Sequence, residues 1–212
     1  MSSAASYPGR FIVLDGVDGC GKSTQAGLLV QALRSALEIE VQHLREPGST
    51  TLGEGLRELL LSREQDMGPE VESLLFCAAR RHMLDLLVRP ALERGEWVVC
   101  ERFHPSTLAY QGGAGGVPTE ILARLLEGWA GDPEPDLILI LDLDPAAARQ
   151  RSGKAADRIE DKGRGFQEEV ASAMRHYAQT DPAAQLVQGE GSADEVAARI
   201  LARVEGLGLR SR

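Results

Sequence analysis

The sequence predicts an α/β protein in three layers, with a five-stranded, mostly parallel sheet between helices. Two observations carry that prediction. Short runs that are apolar at every position alternate with longer segments whose apolar residues recur at helical spacing, as expected of strands covered on both faces. The first such run also leads through a glycine-rich stretch directly into the first helical segment, as a strand–loop–helix unit would. Phe11-Ile12-Val13-Leu14 reads as the first buried strand. Residues 21 to about 38 follow as a helix, with Ala26, Leu29, Val30, Leu33 and Leu37 at its spacing. Val41 to Leu44 is a second strand, closed by the turn-rich "REPGST". Leu52 to Leu61 and Pro69 to Glu93 read as helices, the second long, begun by Pro69 and stopped at Gly95. Trp97 to Cys100 and Leu137 to Leu141 are the third and fourth strands. Helices follow over Pro145–Arg151, with Asp144 as N-cap, and over Phe166–Thr180. Gln185 to Gln188 is a short fifth strand, followed by a helix from Ala193 to about Glu205. No repeat, linker or second domain is visible, so residues 1–212 are expected to form one domain, its last residues frayed.

Composition narrows the function. With 212 residues, 43% of them hydrophobic, the chain can bury a full core, and a formal net charge of -9 argues against a long nucleic-acid track. Small anionic substrates remain open, because a site can be locally basic on an acidic protein. Cys20, Cys77 and Cys100 form neither a disulfide framework nor a metal motif, and read as reduced thiols of a cytoplasmic protein. No apolar run reaches 18 residues, so no membrane span is expected, and "MSSAASYPGR" lacks the apolar core of a secretory signal.

The glycine-rich stretch is Gly16-Val17-Asp18-Gly19-Cys20-Gly21-Lys22-Ser23, followed by Thr24. It meets every fixed position of G-x-x-x-x-G-K-[ST] in the strand-to-helix context that this phosphate loop requires. Its glycines let backbone N–H groups turn inward, and the helix N-terminus adds positive potential. A nucleoside triphosphate is therefore the expected ligand of this loop. Lys22 would reach its β- and γ-phosphates, and the Ser23 hydroxyl would ligate Mg²⁺. The fold class sharpens to the three-layer P-loop NTPase architecture, which leaves the phosphate acceptor open.

A second stretch, "VVCERFHPSTLAYQ" (98–111), turns from apolar to charged at Glu101-Arg102, a pair that is costly to bury unless something binds there. Phe76 and Arg80, four residues apart on a helix, share a face suited to stacking a base and bonding its edge. Together "DGVDGCGKST" (15–24), "REPGST" (45–50), "LLFCAARR" (74–81), "ERFHPSTLAYQGG" (101–113), "PDLILILDLDP" (135–145) and "DRIE" (157–160) resemble thymidylate kinase, the ATP-dependent kinase of dTMP. The resemblance implies that Phe76 stacks on thymine, Arg80 bonds a base carbonyl and Arg102 holds the acceptor phosphate with Arg45 nearby. It further implies that Ser106 or Thr107 contacts the base and that Gln111 lines the pocket. Tyr110 would crowd the sugar 2′ position, Asp18 would take the 3′-hydroxyl, and Pro47 would follow a cis bond. A homodimer is implied as well.

The charged segment 149–165 carries Arg149, Arg151, Lys154, Arg158, Lys162 and Arg164. It reads either as a solvated face or as a mobile lid delivering an arginine to the transferring group. Some thymidylate kinases carry a basic residue in the P-loop where this chain has Gly19, so the resemblance favours the lid-arginine subtype common in bacteria. Arg151 and Arg158 are the expected catalytic residues, with Arg149 close behind. Two departures stand out. Asp15 and Glu101 exchange the carboxylate lengths usual at the ends of strands one and three, and Ser49 stands where glycine is common. A compensating swap is expected, with Glu101 reaching the metal shell across space left by Asp15, and Ser23, Glu101 and Asp18 around the metal. Asp142 is a further candidate metal ligand. Other deoxynucleotide acceptors such as dUMP remain open, as does a GTP-binding switch, although no N-K-x-D guanine motif is present.

Overall fold

The computed structural model describes residues 7–37, 39–152 and 157–207. Lys154 of the expected lid and the last five residues lie outside the described residues. Within them, strands β1 (Phe11–Gly16), β2 (Val41–Arg45), β3 (Trp97–Glu101), β4 (Leu137–Asp142) and β5 (Ala184–Gln188) form one sheet in the order β2-β3-β1-β4-β5. Every pairing is parallel, so the sheet is more uniform than the mostly parallel arrangement expected. β1 is buried at all six positions because α1 (Lys22–Leu37) and the neighbouring helices cover both its faces. Each side chain such as Phe11, Ile12 or Leu14 contributes roughly 1.5–3 kcal/mol there.

Helices α2 (Thr51–Leu61) and α3 (Pro69–Met83) follow β2. The Thr50 side chain caps α2 through the Gly53 amide at 2.9 Å. The long helix expected to Glu93 is continuous in path but not in winding. Leu84–Val88 forms a π-helical turn before α4 (Arg89–Glu93), and the Arg89 amide bonds the Leu84 carbonyl five residues back. The cause is Pro90, which lacks an N–H and whose ring would strike the carbonyl four residues earlier; the wider turn relieves that clash.

Among the described residues, a one-turn 3₁₀ helix (Glu160–Lys162) and two longer helical segments lie beyond the expected elements. Of the longer two, one is α5 (His104–Ser106), which runs into a π-helical turn over Thr107–Gly113; the other is α6 (Thr119–Leu125), extended in the same way over Leu126–Ala130. After β4 come α7 (Pro145–Ser152), α8 (Arg164–Thr180) and, beyond β5, α9 (Ala193–Val204). Asp144 caps α7 by accepting from the Ala146 and Ala147 amides at 2.9 and 3.2 Å.

The site is positioned chiefly by Asp15 at the end of β1. Its side chain is fully buried and accepts from the amides of Gly16 (2.8 Å), Phe103 (3.1 Å) and Ser106 (3.0 Å) and from the Ser106 hydroxyl (2.8 Å). These bonds hold the turn after β3, where Arg102 sits at φ 66, a left-handed conformation costing about 1–3 kcal/mol for a non-glycine residue. The expected compensating swap fails on this geometry. β1 and β3 are registered Leu14↔Glu101, so Asp15 points to the opposite side of the sheet from Glu101, and the two carboxylates do not share a crevice. Removing Asp15 leaves buried amides unpaired. Asp15→Ala should cost about 3 kcal/mol or more and lower Tm by roughly 10 °C. Asp15→Glu overpacks the same pocket, so Asp15→Glu with Glu101→Asp should melt no higher than Asp15→Glu alone. Recovery of stability in that double variant, read by thermal denaturation, would contradict this assignment.

Candidate active site

Two cavities meet at the ends of β1, β2 and β3. The larger, about 610 Å³, is lined by the glycine loop from Asp18 to Gln25, by Arg45, Glu101 and Arg151, and by the turn from Gly189 to Ala193. The smaller, about 80 Å³, is lined by Pro47, Phe76, Arg80, Ser106, Thr107, Tyr110 and Gln111, with Asp157 and Ile159 from beyond α7. Four residues border both: Asp18, Glu46, Arg57 and Arg102. Charged groups thus stand where a group passed from one cavity to the other would cross.

Gly16, Gly19 and Gly21 all have positive φ, which curls the loop from Gly16 to Lys22. At Gly19 a Cβ would lie 2.2 Å from the Ala148 carbonyl of α7, so no basic side chain fits there. Lys22 is nearly buried and its Nζ bonds the Gly16 and Val17 carbonyls at 3.0 and 2.8 Å, while Ser23 and Thr24 face the large cavity. Ser23 donates a short hydrogen bond to Glu101 Oε2. Burial opposes ionisation of Glu101, but its bonds to His43 and Ser23 hold the carboxyl below its usual range. Ser23 and Glu101 together offer only oxygen donors to the cavity, which suits a hard divalent cation. Among the described residues no cluster of three or more His, Cys, Asp or Glu could hold a metal.

Arg102 is spread over the junction. Its guanidinium bonds the Ser106 hydroxyl at 2.9 Å and the Gly16 carbonyl at 3.3 Å, pairs closely with Asp18, and lies 5.3 Å from the Tyr110 ring centre. The second Asp18 oxygen accepts from the Tyr110 hydroxyl at 2.9 Å. Burial would push the Asp18 carboxyl up, yet Arg102, Lys22 and Tyr110 together hold it down. Both Asp18 oxygens are thus bonded by Arg102 and Tyr110, and neither bonds the Ser23–Glu101 pair expected beside it around the metal. Asp142, the other metal candidate, instead pairs with Arg175 at 2.9 Å.

Arg80 is buried to 1% exposure and its Nε meets both Glu46 oxygens at 2.7 and 2.8 Å, while Nη2 donates to Thr107 Oγ1 at 2.8 Å. Its Nη1 is buried without a partner, and the side chain lines the small cavity beside Phe76. An orphaned donor of this kind is costly unless a ligand satisfies it. The Glu46–Pro47 bond is cis, as expected. Ser49 has φ 63, so the non-glycine residue does sit at a strained position.

Three residues at the site were not singled out from the sequence. Glu46 is the counter-charge that a buried Arg80 demands; that demand was the available signal. Arg57 donates to the Pro47 carbonyl at 3.1 Å, and burial together with the nearby Arg45 and Arg102 charges depresses its pKa. Arg45 pairs with Glu54 at 3.0 Å and Arg102 with Asp18, so Arg57 is the guanidinium of the three without a carboxylate partner among the described residues and the one that suits an anion. Glu72 is fully buried and accepts from Gln111 (2.9 Å), Arg158 (2.7 Å) and Lys162 (3.0 Å). No spacing rule pointed to it.

The segment after α7 is clasped onto α2 and α3. Arg158 also donates to the Leu60 carbonyl at 2.9 Å, and Arg63 pairs with Asp161 at 2.6 Å. Arg158 is therefore turned to Glu72, away from the large cavity. Arg151 lines that cavity and donates to the Gly189 carbonyl at 3.1 Å. Arg149 reaches the Glu160 carbonyl at 3.4 Å, beside Val17 of the loop.

Comparison with known proteins bears on the family. The family model described as thymidylate kinase matches residues 14–200. A thymidylate kinase of Nitrosomonas eutropha is 43% identical over 201 residues, which is 93% of each chain. One from Leifsonia xyli is 42% identical over 210 residues, 97% of this chain and 99% of that protein. The crystal structure of thymidylate kinase from Ehrlichia chaffeensis superposes with a TM-score of 0.76 at 27% identity, covering 92% of this chain and 98% of that one. The chain belongs to the thymidylate kinase family.

Proposed function

We propose that the chain, as one kinase domain, transfers the γ-phosphoryl group of ATP to dTMP, giving dTDP and ADP. The observation that carries this reading is the junction of the two cavities at Asp18, Glu46, Arg57 and Arg102. ATP lies in the larger cavity, its phosphates on the backbone amides of Gly16 to Thr24 and on Lys22. dTMP lies in the smaller one. Phe76 stacks on thymine, Arg80 Nη1 donates to a base carbonyl, and Thr107 and Gln111 complete the pocket, with Ser106 beneath it. Tyr110 crowds the 2′ position and Asp18 accepts from the 3′-hydroxyl. Arg45, Arg57 and Arg102 hold the acceptor phosphate.

An acceptor phosphate oxygen attacks the γ-phosphorus, the bond to the β-bridging oxygen breaks, and ADP leaves with those electrons. Positioning and charge neutralisation carry the rate, since the protein forms no covalent bond to the group. Ser23 and Glu101 would hold Mg²⁺, which when bound would supply neutralisation of the donor's phosphate charge. Arg151 takes the catalytic lid role. Arg158, also expected there, acts as a strut that fastens the lid to Glu72 and so closes the acceptor pocket.

A homodimer and a cytoplasmic location complete the proposal. Exposed Val71 and Leu74 on α3, Ile121 on α6 and Trp129 beyond it support the first. The second is supported by three unpaired cysteines and by the lack, among the described residues, of a helix long and apolar enough to cross a membrane.

ADP release with MgATP should be stimulated strongly by dTMP and far less by the ribose form of TMP, dCMP, dAMP or dGMP. One methyl group limits discrimination against dUMP to about 10–200-fold. Equal turnover on a purine acceptor would discard the thymine pocket. Arg151→Ala should lower kcat by about 10³-fold with Tm unchanged. Arg158→Ala should raise KM for dTMP and lower Tm, because it strips Glu72 of a buried partner. The opposite pattern for the two arginines, in steady-state kinetics and melting curves, would exchange their roles.

A further inference from the structure

One contact at the cation site is not accounted for by the phosphate loop or the acceptor pocket. On β2, His43 Nε2 lies 2.8 Å from Glu101 Oε1, while the other Glu101 oxygen takes the Ser23 hydroxyl. The β2–β3 register, His43↔Val99 and Arg45↔Glu101, puts His43 and Glu101 two positions apart and so on one side of the sheet. The contact therefore follows from strand pairing rather than from a chance side-chain approach. A carboxylate only accepts, so Nε2 donates. Glu101 is 13% exposed at its side chain, at the wall of the large cavity.

We propose that His43 is a positioning residue for the divalent-cation site: its Nε2–H pins one Glu101 oxygen so that the other stays on Ser23. A glutamate has one more rotatable bond than an aspartate and loses more rotamer entropy when held in a single pose. A second anchor removes that freedom before the nucleotide arrives. An aspartate at position 101 would be one methylene too short to span both His43 and Ser23. His43 is thus the partner that makes the longer carboxylate workable. The purpose of the device rests on the proposed kinase reading, since that reading puts a cation there; its geometry does not.

The test is ADP binding by calorimetry, in saturating MgCl₂ and again in excess EDTA, with no acceptor present. His43→Phe should raise the Kd for ADP in Mg²⁺ about tenfold, as loss of a partner behind a metal-site ligand does, and leave the Kd in EDTA unchanged. His43→Gln offers a donor at matching reach and should bind as the wild type does. In a Glu101→Asp background, His43→Phe should add nothing. Equal Kd shifts with and without Mg²⁺, no shift in Mg²⁺, or additive losses in the double variant would each overturn the proposal and leave an ordinary surface ion pair. A wild-type Kd indifferent to Mg²⁺ would overturn it as well. Because dTMP is absent throughout, failure of the acceptor assignment leaves this result standing, and the two failures stay distinct.

Discussion

The fold and the site are joined by one buried carboxylate. Asp15 ends β1, and four hydrogen bonds tie it to its own loop and to the turn after β3. Those bonds sustain Arg102 in a left-handed backbone conformation that a free chain would leave. From there the Arg102 guanidinium reaches Asp18 and the Gly16 carbonyl of the phosphate loop. One interaction therefore sets the distance between the donor loop and the acceptor pocket. Chemistry that depends on two substrates meeting in line needs such a fixed span.

Around that span the protein balances its charges unevenly. Arg80 is matched by Glu46, and Arg102 by Asp18 with Asp15 at 3.6 Å. Arg57, by contrast, faces Arg45 and Arg102 and is held below its ordinary pKa by burial and by them. Where the two cavities join, Arg57 and Arg102 are balanced by Asp18 and Glu46, but the rest of the lining sets Lys22, Arg45, Arg80 and Arg151 against Glu101 and Asp157, a positive surplus on a chain whose net charge is -9. Local field and overall charge need not agree, and here the local one suits phosphates. Glu72 works in the reverse sense. One buried carboxylate gathers Gln111 of the small cavity together with Arg158 and Lys162 from the segment after α7, so docking of that segment and order in the cavity draw on the same group.

Much of this was legible in the sequence because it rests on local rules. The strands were apolar runs, the phosphate loop was a fixed spacing, and Asp144 caps the helix that follows it by short-range bonds. Phe76 and Arg80 were readable from helical spacing. What could not be read depends on partners far apart in the chain. Glu46 meets Arg80 across 34 residues, and Glu72 meets Lys162 across 90. The π-helical turn before Pro90 was foreseeable in kind, since an interior proline must disturb a helix, but not in form. Asp15 and Glu101 were seen as a related pair, yet strand register alone decided that they face opposite ways. Arg158 was read with Arg151 as a catalytic arginine of the charged run, and only packing separates the two.

The account turns on Arg102 as the group that receives the acceptor phosphate. The most direct measurement is the binding of dTMP and of thymidine to the wild-type chain and to Arg102→Met, by calorimetry. The ratio of the two Kd values isolates what the phosphate contributes. A charge-assisted contact of about 1.5–3 kcal/mol predicts that this ratio shrinks at least tenfold in Arg102→Met, with thymidine affinity little changed. An unchanged ratio would contradict the assignment and move the acceptor phosphate elsewhere.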